Sequence, residues 1–197
     1  MVRCHQALPA LWGTAMRDNL STDQFDEFAD DLLAERTARP LFIVGTSKVE
    51  NLLFLVLRQH LLPKKTRPND QDELLEGDRP LATFSARIKL CYRLGLIDET
   101  LYQALEQLRN IRNQCAHSII FDVTSPPIRE REAALRKSFA QRKSYRLTKE
   151  RYFGSKKLTA TEELQCVLLT LCALLEVILD STTVTRGNKH ALRIASR

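Results

Sequence analysis

The chain has 197 residues, enough for one domain with a substantial core and too few for two comfortable ones. Hydrophobic residues make up 44% and charged residues 27%, as in an ordinary soluble globular protein. Only 6 glycines and 7 prolines argue against a strand-and-turn architecture and favour an all-α helical bundle.

The first sixty residues carry the signals of two helices. A cap at residues 21–23 begins a helix that we predict to reach about residue 37, after which Pro40 breaks the pattern. A long second helix is predicted over residues 41–61. It is apolar enough to suggest a membrane span, but three charged residues interrupt it, so we expect a buried bundle helix.

The middle of the chain is predicted to form two further helices. After a short helical turn at residues 72–76, one helix spans residues 83–94 and the next spans residues 99–118. Gly95 stands where a C-terminal cap belongs, and Asp98 is a natural N-cap for the second of these helices.

A strongly basic segment follows. Residues 129–157 hold eleven basic and three acidic side chains, a net charge of +8, which leaves −2 for the rest of a chain whose total is +6. We predict a helix over residues 128–140 and a loop beyond it. This charge distribution suggests a polyanionic partner, with a solvated, flexible loop as the alternative.

The last helix is predicted to begin at Thr159 or Thr161 and to end near residue 180. It is apolar nearly all round, as the central helix of a bundle is, and its apolar stretch at residues 164–179 is short of the roughly 20 residues that span a membrane. We expect a single helical domain over residues 1–197, with its core at about 20–180, a basic insertion at about 126–158 and a flexible tail at 181–197. The five cysteines, which show no paired spacing, are predicted to be free thiols in a reducing cytoplasm.

The fourth long helix ends in Arg112-Asn113-Gln114-Cys115-Ala116-His117, with Arg112 within its apolar arc on a helical wheel. A guanidinium is costly to bury unpaired, so Glu50 in the apolar arc of the second helix is a candidate structural partner for Arg112. The alternative is that Arg112 points into a cleft with Asn113 and His117 at its mouth.

Four short stretches, LLEGD at 74–78, PL at 80–81, FSARIKL at 84–90 and YRLGLI at 92–97, resemble the core of the mannitol operon repressor family. These small bacterial proteins are all-helical, and the resemblance implies a regulatory protein that binds a protein or nucleic-acid partner in transcriptional control. No helix-turn-helix is evident, so we expect diffuse phosphate contacts or action through a partner. The expected nucleic-acid-binding residues are Arg129, Arg131, Arg136, Lys137, Arg142, Lys143 and Arg146.

The Arg112-Asn113-x3-His117 spacing also resembles the signature of HEPN domains, many of which are metal-independent ribonucleases. This second resemblance implies a HEPN-like fold, a homodimer, and an endoribonuclease that needs no metal or cofactor. His117 would be its general acid or base, Arg112 would stabilise charge on the scissile phosphate, and Asn113 would orient it. A third possibility is a HEPN-like interaction module that keeps these residues for structure. In each case we expect a cytoplasmic protein without a membrane partner.

Overall fold

The computed structural model describes residues 22–62, 71–117 and 126–183, and this part of the chain contains seven α-helices and no strand. The helices are α1 (Thr22–Ala34), α2 (Ala38–His60), α3 (Phe84–Arg93), α4 (Glu99–His117), α5 (Pro126–Ala140), α6 (Lys143–Phe153) and α7 (Ala160–Ser181). The predicted all-α bundle is therefore confirmed. Cys4 and the predicted tail beyond residue 183 lie outside the described residues.

α2 and α7 pack against each other more extensively than any other pair of described helices and form the centre of the bundle. They run in the same direction, since Gly45 contacts Leu168 early in both helices. Near their ends, Gln59 Nε2 donates hydrogen bonds to the carbonyl oxygens of Leu179 (3.1 Å) and Thr182 (2.6 Å). Length and composition alone would let both helices cross a membrane, but 72% of the most apolar stretch of α7 is buried inside the bundle.

α1 packs against both central helices and is held to α7 by one buried amide. Gln165 Nε2 donates to the carbonyl oxygens of Leu32 (3.1 Å), Leu33 (3.3 Å) and Glu35 (3.0 Å). The last carbonyls of a helix have no partner within the helix, so this side chain caps the end of α1 from a neighbouring element.

The turn between α3 and α4 forms as its capping residues predict. Gly95 adopts a φ of 69°, and the Leu96 amide donates to the Cys91 carbonyl oxygen at 2.9 Å, which closes α3 with a left-handed glycine cap. Asp98 Oδ1 accepts a hydrogen bond from the Leu101 amide at 2.7 Å and caps the start of α4. At α7, the N-cap is Thr159, whose hydroxyl accepts from the Glu162 amide in a capping box.

Three predicted boundaries are wrong. Pro40 does not interrupt a helix but lies in the first turn of α2. N–H groups in the first turn have no acceptor within the helix, so proline, which lacks the N–H, is tolerated there. Residues 72–76 form a hydrogen-bonded turn around Asp72, whose Oδ1 accepts from the Leu74 and Leu75 amides, and not a helix. The loop predicted beyond residue 140 is largely α6, which buries Tyr145 and Phe153 and ends at Gly154.

Candidate functional site

The end of α4 carries the residues singled out as a catalytic candidate. Arg112 is exposed, and its Nη1 lies 3.5 Å from Oδ1 of the half-buried Asn113. α4 ends at His117, whose side chain is outside the described part of the chain. The structure therefore brings Arg112 and Asn113 together at the end of α4 and says nothing of the imidazole.

The prediction that Arg112 forms a buried ion pair with Glu50 is wrong. The buried stripe at this end of α4 follows Leu108, Ile111 and Cys115, so Arg112 lies at its margin. From there a long side chain reaches water, which spares the large cost of burying a guanidinium. Glu50 pairs with a different arginine: its Oε1 lies 3.7 Å from Arg87 Nη1.

Arg87 is the structural arginine that the sequence interpretation missed. Its guanidinium donates to the carbonyl oxygens of Leu75 (2.7 Å), Leu81 (3.3 Å) and Glu50 (3.5 Å), and it lies over the Phe54 ring at 5.2 Å. It therefore fastens the segment before α3 against α2. The sequence did indicate this structural role, because Arg87 lies at helical spacing from Phe84, Ile88 and Cys91, which are all buried.

A second arginine joins the start of α2 to the end of α4. Arg39 Nη2 donates to the carbonyl oxygen of Cys115 at 3.1 Å, near the end of α4. Cys115 itself is buried, and burial raises the pKa of its thiol. The four cysteines in the described part of the chain are buried free thiols, as predicted: Cys91, Cys115, Cys166 and Cys172. Within those residues, no group of three His, Cys, Asp or Glu side chains is placed to hold a metal ion.

The basic segment is bound to the acidic body through ion pairs. Four of its cations make such pairs: Arg136 with Glu163, Arg142 with Asp98 (3.0 Å), Arg151 with Asp26 (2.6 Å) and Lys156 with Glu162 (2.6 Å). The Arg136 pair joins α5 to α7, and the Arg151 pair joins α6 to α1. The Arg142 pair joins the start of α6 to the cap of α4. The charge asymmetry along the sequence is thus partly neutralised within the fold.

The Arg142–Asp98 pair also affects the cap of α4. Burial works to raise the pKa of Asp98, but hydrogen bonds from the Leu101 amide and from Arg142 outweigh it and hold that pKa below its ordinary value. Arg142 also lies over the Phe139 ring at 5.4 Å. Arg142 therefore has a structural role between α5 and α4.

Five basic residues on α5 and α6 form what we call the cationic surface: Arg129, Arg131, Lys137, Lys143 and Arg146. Arg131 is half-buried and the other four are exposed, and none of the five has an ion pair within the described residues. Of the seven residues expected to bind nucleic acid, Arg136 and Arg142 are engaged inside the chain, and these five face outward or lie at the margin.

The described architecture is an all-α bundle with a basic pair of helices inserted before its last helix. Residues 46–144, half of the chain, match the model of the mannitol repressor family, MtlR. The chain therefore belongs to the mannitol repressor family, and this membership supports a regulatory role.

Two solved structures share the fold. One is a chain of the MtlR–HPr complex from Escherichia coli, with 22% sequence identity, a TM-score of 0.53, and coverage of 78% of this chain and 97% of that chain. The other is YggD from Shigella flexneri 2a str. 2457T, a possible transcriptional regulator, with 15% identity, a TM-score of 0.55, and coverage of 81% and 99%. At these identities the likeness shows the fold alone. Among curated proteins, none matches the chain.

Proposed function

We propose that this chain is a transcriptional regulator of the mannitol repressor type that acts by binding, with nucleic acid as the partner of the cationic surface. The observation that carries the proposal is that six cations of α5 and α6, the five of the cationic surface and Lys149, remain outside the ion pairs of the described residues. Cations spread over two helices neutralise phosphates and release counterions without reading base edges. This mode of contact needs no recognition helix in a groove.

A protein partner is the second part of the proposal. The E. coli structural neighbour was solved as a complex of MtlR with HPr. We carry over only the class of partner, a protein, because the identity to that chain is 22%. A regulator with separate surfaces for nucleic acid and for a protein couples a signal to transcription when one partner changes the affinity for the other.

Charge reversal tests the nucleic-acid part. Lys137→Glu, Lys143→Glu and Arg146→Glu are combined, and binding to a labelled DNA duplex is followed by fluorescence anisotropy over a range of salt concentrations. We expect weaker binding and a shallower salt dependence, with a log–log slope reduced by about 0.9 for each phosphate that the variant no longer neutralises.

The matched control carries the same change of net charge at three exposed arginines elsewhere, Arg36, Arg58 and Arg79. It is expected to bind DNA nearly as the natural protein does. Equal weakening in both variants would show that overall charge, and not the cationic surface, drives the binding.

A metal-independent ribonuclease is the second candidate function, and the exposure of Arg112 beside Asn113 favours it. The natural protein and the His117→Ala variant are incubated with a labelled RNA pool in EDTA, and sedimentation of both measures the homodimer expected with this function. Cleavage that leaves 2′,3′-cyclic phosphates and is absent in the variant supports a ribonuclease. Intact RNA with both folded proteins excludes it for those RNAs.

A further inference from the structure

The outer face of α3 combines aromatic, apolar and cationic side chains. Lys89, Tyr92 and Arg93 are exposed at positions i, i+3 and i+4, which lie together on one side of a helix. Leu94 follows at the end of α3, about 100° further round the helix than Arg93 and on the side away from Tyr92. Tyr92 is 36% exposed and Leu94 39% exposed, so both present apolar atoms to solvent beside two cations. We call these four residues the α3 face.

The Tyr92 ring and the backbone of Leu94 are held in place before any partner arrives. The Tyr92 ring stacks on Tyr102 of α4, with ring centroids 4.6 Å apart and an interplanar angle of 26°. Its hydroxyl bonds to the Glu99 carboxylate, and this bond raises the pKa of Tyr92. Leu94 precedes the left-handed Gly95, and its amide donates to the Leu90 carbonyl oxygen at 2.9 Å. Side chains fixed in advance lose little entropy on binding.

The charge around these rings is mainly positive. Lys89 and Arg93 have no ion pair within the described residues. The nearby acid Glu99 is occupied, since it accepts hydrogen bonds from Tyr92 and from Gln103 at 2.6 Å. Asp98, at the same turn, is paired with Arg142. Two cations flanked by a tyrosine on one side and a leucine on the other match the composition of protein interfaces, in which Tyr and Arg are enriched.

We propose that the α3 face docks a protein partner that presents an apolar side chain among carboxylates. Charge complementarity selects this occupant: a second copy of the chain would bring Lys89 and Arg93 against their own like charges. Nucleic acid fits less well, because the Tyr92 hydroxyl is already bonded to Glu99 and Leu94 offers nothing to a phosphate. The inference rests on the proposed function in that it assigns the proposed protein partner to the α3 face, which lies on a different helix from the cationic surface.

The test uses the full chain and a synthetic acidic peptide with one leucine between aspartates and glutamates. Two matched peptides replace the leucine by serine or the acids by lysines. Binding is followed by the amide NMR signals of the ¹⁵N-labelled protein. Saturable shifts confined to residues 89–94 and Tyr102 are expected with the acidic leucine peptide, and weaker ones with either matched peptide.

Variants connect these shifts to the side chains. Arg93→Glu and Tyr92→Ala are each expected to weaken peptide binding by about tenfold or more. Leu74→Ala, at another exposed leucine, and the triple charge reversal of the cationic surface are expected to leave it within about twofold. Arg93→Glu changes only an exposed charge, so it remains decisive even if Tyr92→Ala perturbs the stack on Tyr102.

Four results overturn the inference. They are equal binding of the lysine peptide, shifts centred on α5 and α6, stronger perturbation of the α3 face by a DNA duplex, and loss of self-association in Arg93→Glu. The last two would assign the surface to nucleic acid and to a second copy of the chain. If DNA does not bind at the cationic surface but the peptide still binds, the proposed nucleic-acid contact is wrong and the proposal for the α3 face is unaffected.

Discussion

Lys48 of α2 places its Nζ 3.2 Å from Oε1 of Glu176 on α7, between the two central helices. The Glu176 side chain is only 5% exposed and that of Lys48 20% exposed, and Lys48 also lies over the Phe28 ring of α1 at 5.4 Å. Burial raises the pKa of Glu176, while Lys48 acts in the opposite direction. Because desolvation opposes the attraction in such a pair, its contribution is to fix how three helices meet more than to add net stability.

Replacing Lys48 by Met leaves Glu176 buried without its cation. We expect the free energy of unfolding at pH 7 to fall by about 3 kcal/mol. The folded state holds the proton of Glu176 more tightly than the unfolded chain, so stability falls as pH rises above the ordinary carboxyl pKa, and the loss in the variant shrinks toward pH 5.

Urea denaturation at pH 7 and pH 5 measures this loss. The double variant Lys48→Met/Glu176→Leu removes both charges and is expected to recover most of the stability. A loss of the same size at both pH values, or no recovery in the double variant, would contradict an uncompensated carboxylate as the cause.

Gly45 sets the distance between α2 and α7. A Cβ at this position would lie 2.7 Å from Leu168 Cδ1 and 3.0 Å from Cδ2. We expect Gly45→Leu to lower the free energy of unfolding by about 3 kcal/mol, because overpacking forces the helices apart. Ser47→Leu, on the exposed side of the same helix, should change it by less than about 0.5 kcal/mol. Thermal melting of the two variants side by side decides the matter, and equal melting temperatures would refute the close contact.

Gln165 is expected to control how firmly α1 is attached. Gln165→Ala leaves three carbonyls at the end of α1 without their donor and should cost about 2 kcal/mol. Hydrogen exchange should become faster in α1 before it changes in α7. The control is Gln103→Ala, which removes an exposed glutamine bonded only to Glu99 among the described residues. Unchanged exchange in α1 would mean that packing alone holds that helix.

Arg87 and Arg112 should respond oppositely to truncation. Arg87→Met removes a guanidinium that binds three carbonyls and should cost about 3 kcal/mol. Arg112→Ala removes an exposed side chain and should stay within about 0.5 kcal/mol of the natural protein. Chemical denaturation provides both values, and Lys89→Met on the exposed side of α3 controls for loss of charge. A strongly destabilised Arg112→Ala would restore the buried role for that residue.

Local signals predicted six of the seven described helices and several of their ends. Gly95 and Asp98 act within one turn of their own positions, so the sequence alone showed what each would cap. For α7 the sequence offered Thr159 or Thr161, and the N-cap is Thr159. α7 was recognisable as the central helix because apolar residues cover nearly its whole circumference.

The errors concern interactions between residues far apart in the chain. α6 has few apolar side chains, and it is held to α1 by the pair between Arg151 and Asp26, which are 125 residues apart. A helical wheel placed Arg112 in an apolar arc without showing which neighbours cover that arc. For the same reason Arg112 was chosen as the candidate partner of Glu50. The actual partner is Arg87, which has the helical spacing of the buried residues of α3.

The parallel pairing of α2 and α7 affects when the centre of the bundle can fold during synthesis of the chain. Gln59 finds its carbonyl partners 120 and 123 residues later, so the centre of the bundle closes only after every other described helix has been synthesised. Contacts of such long sequence separation carry a large loop-closure entropy and slow folding. Until α7 arrives, the side of α2 that packs against α7 is uncovered, and a nascent or truncated chain is open to aggregation during that interval.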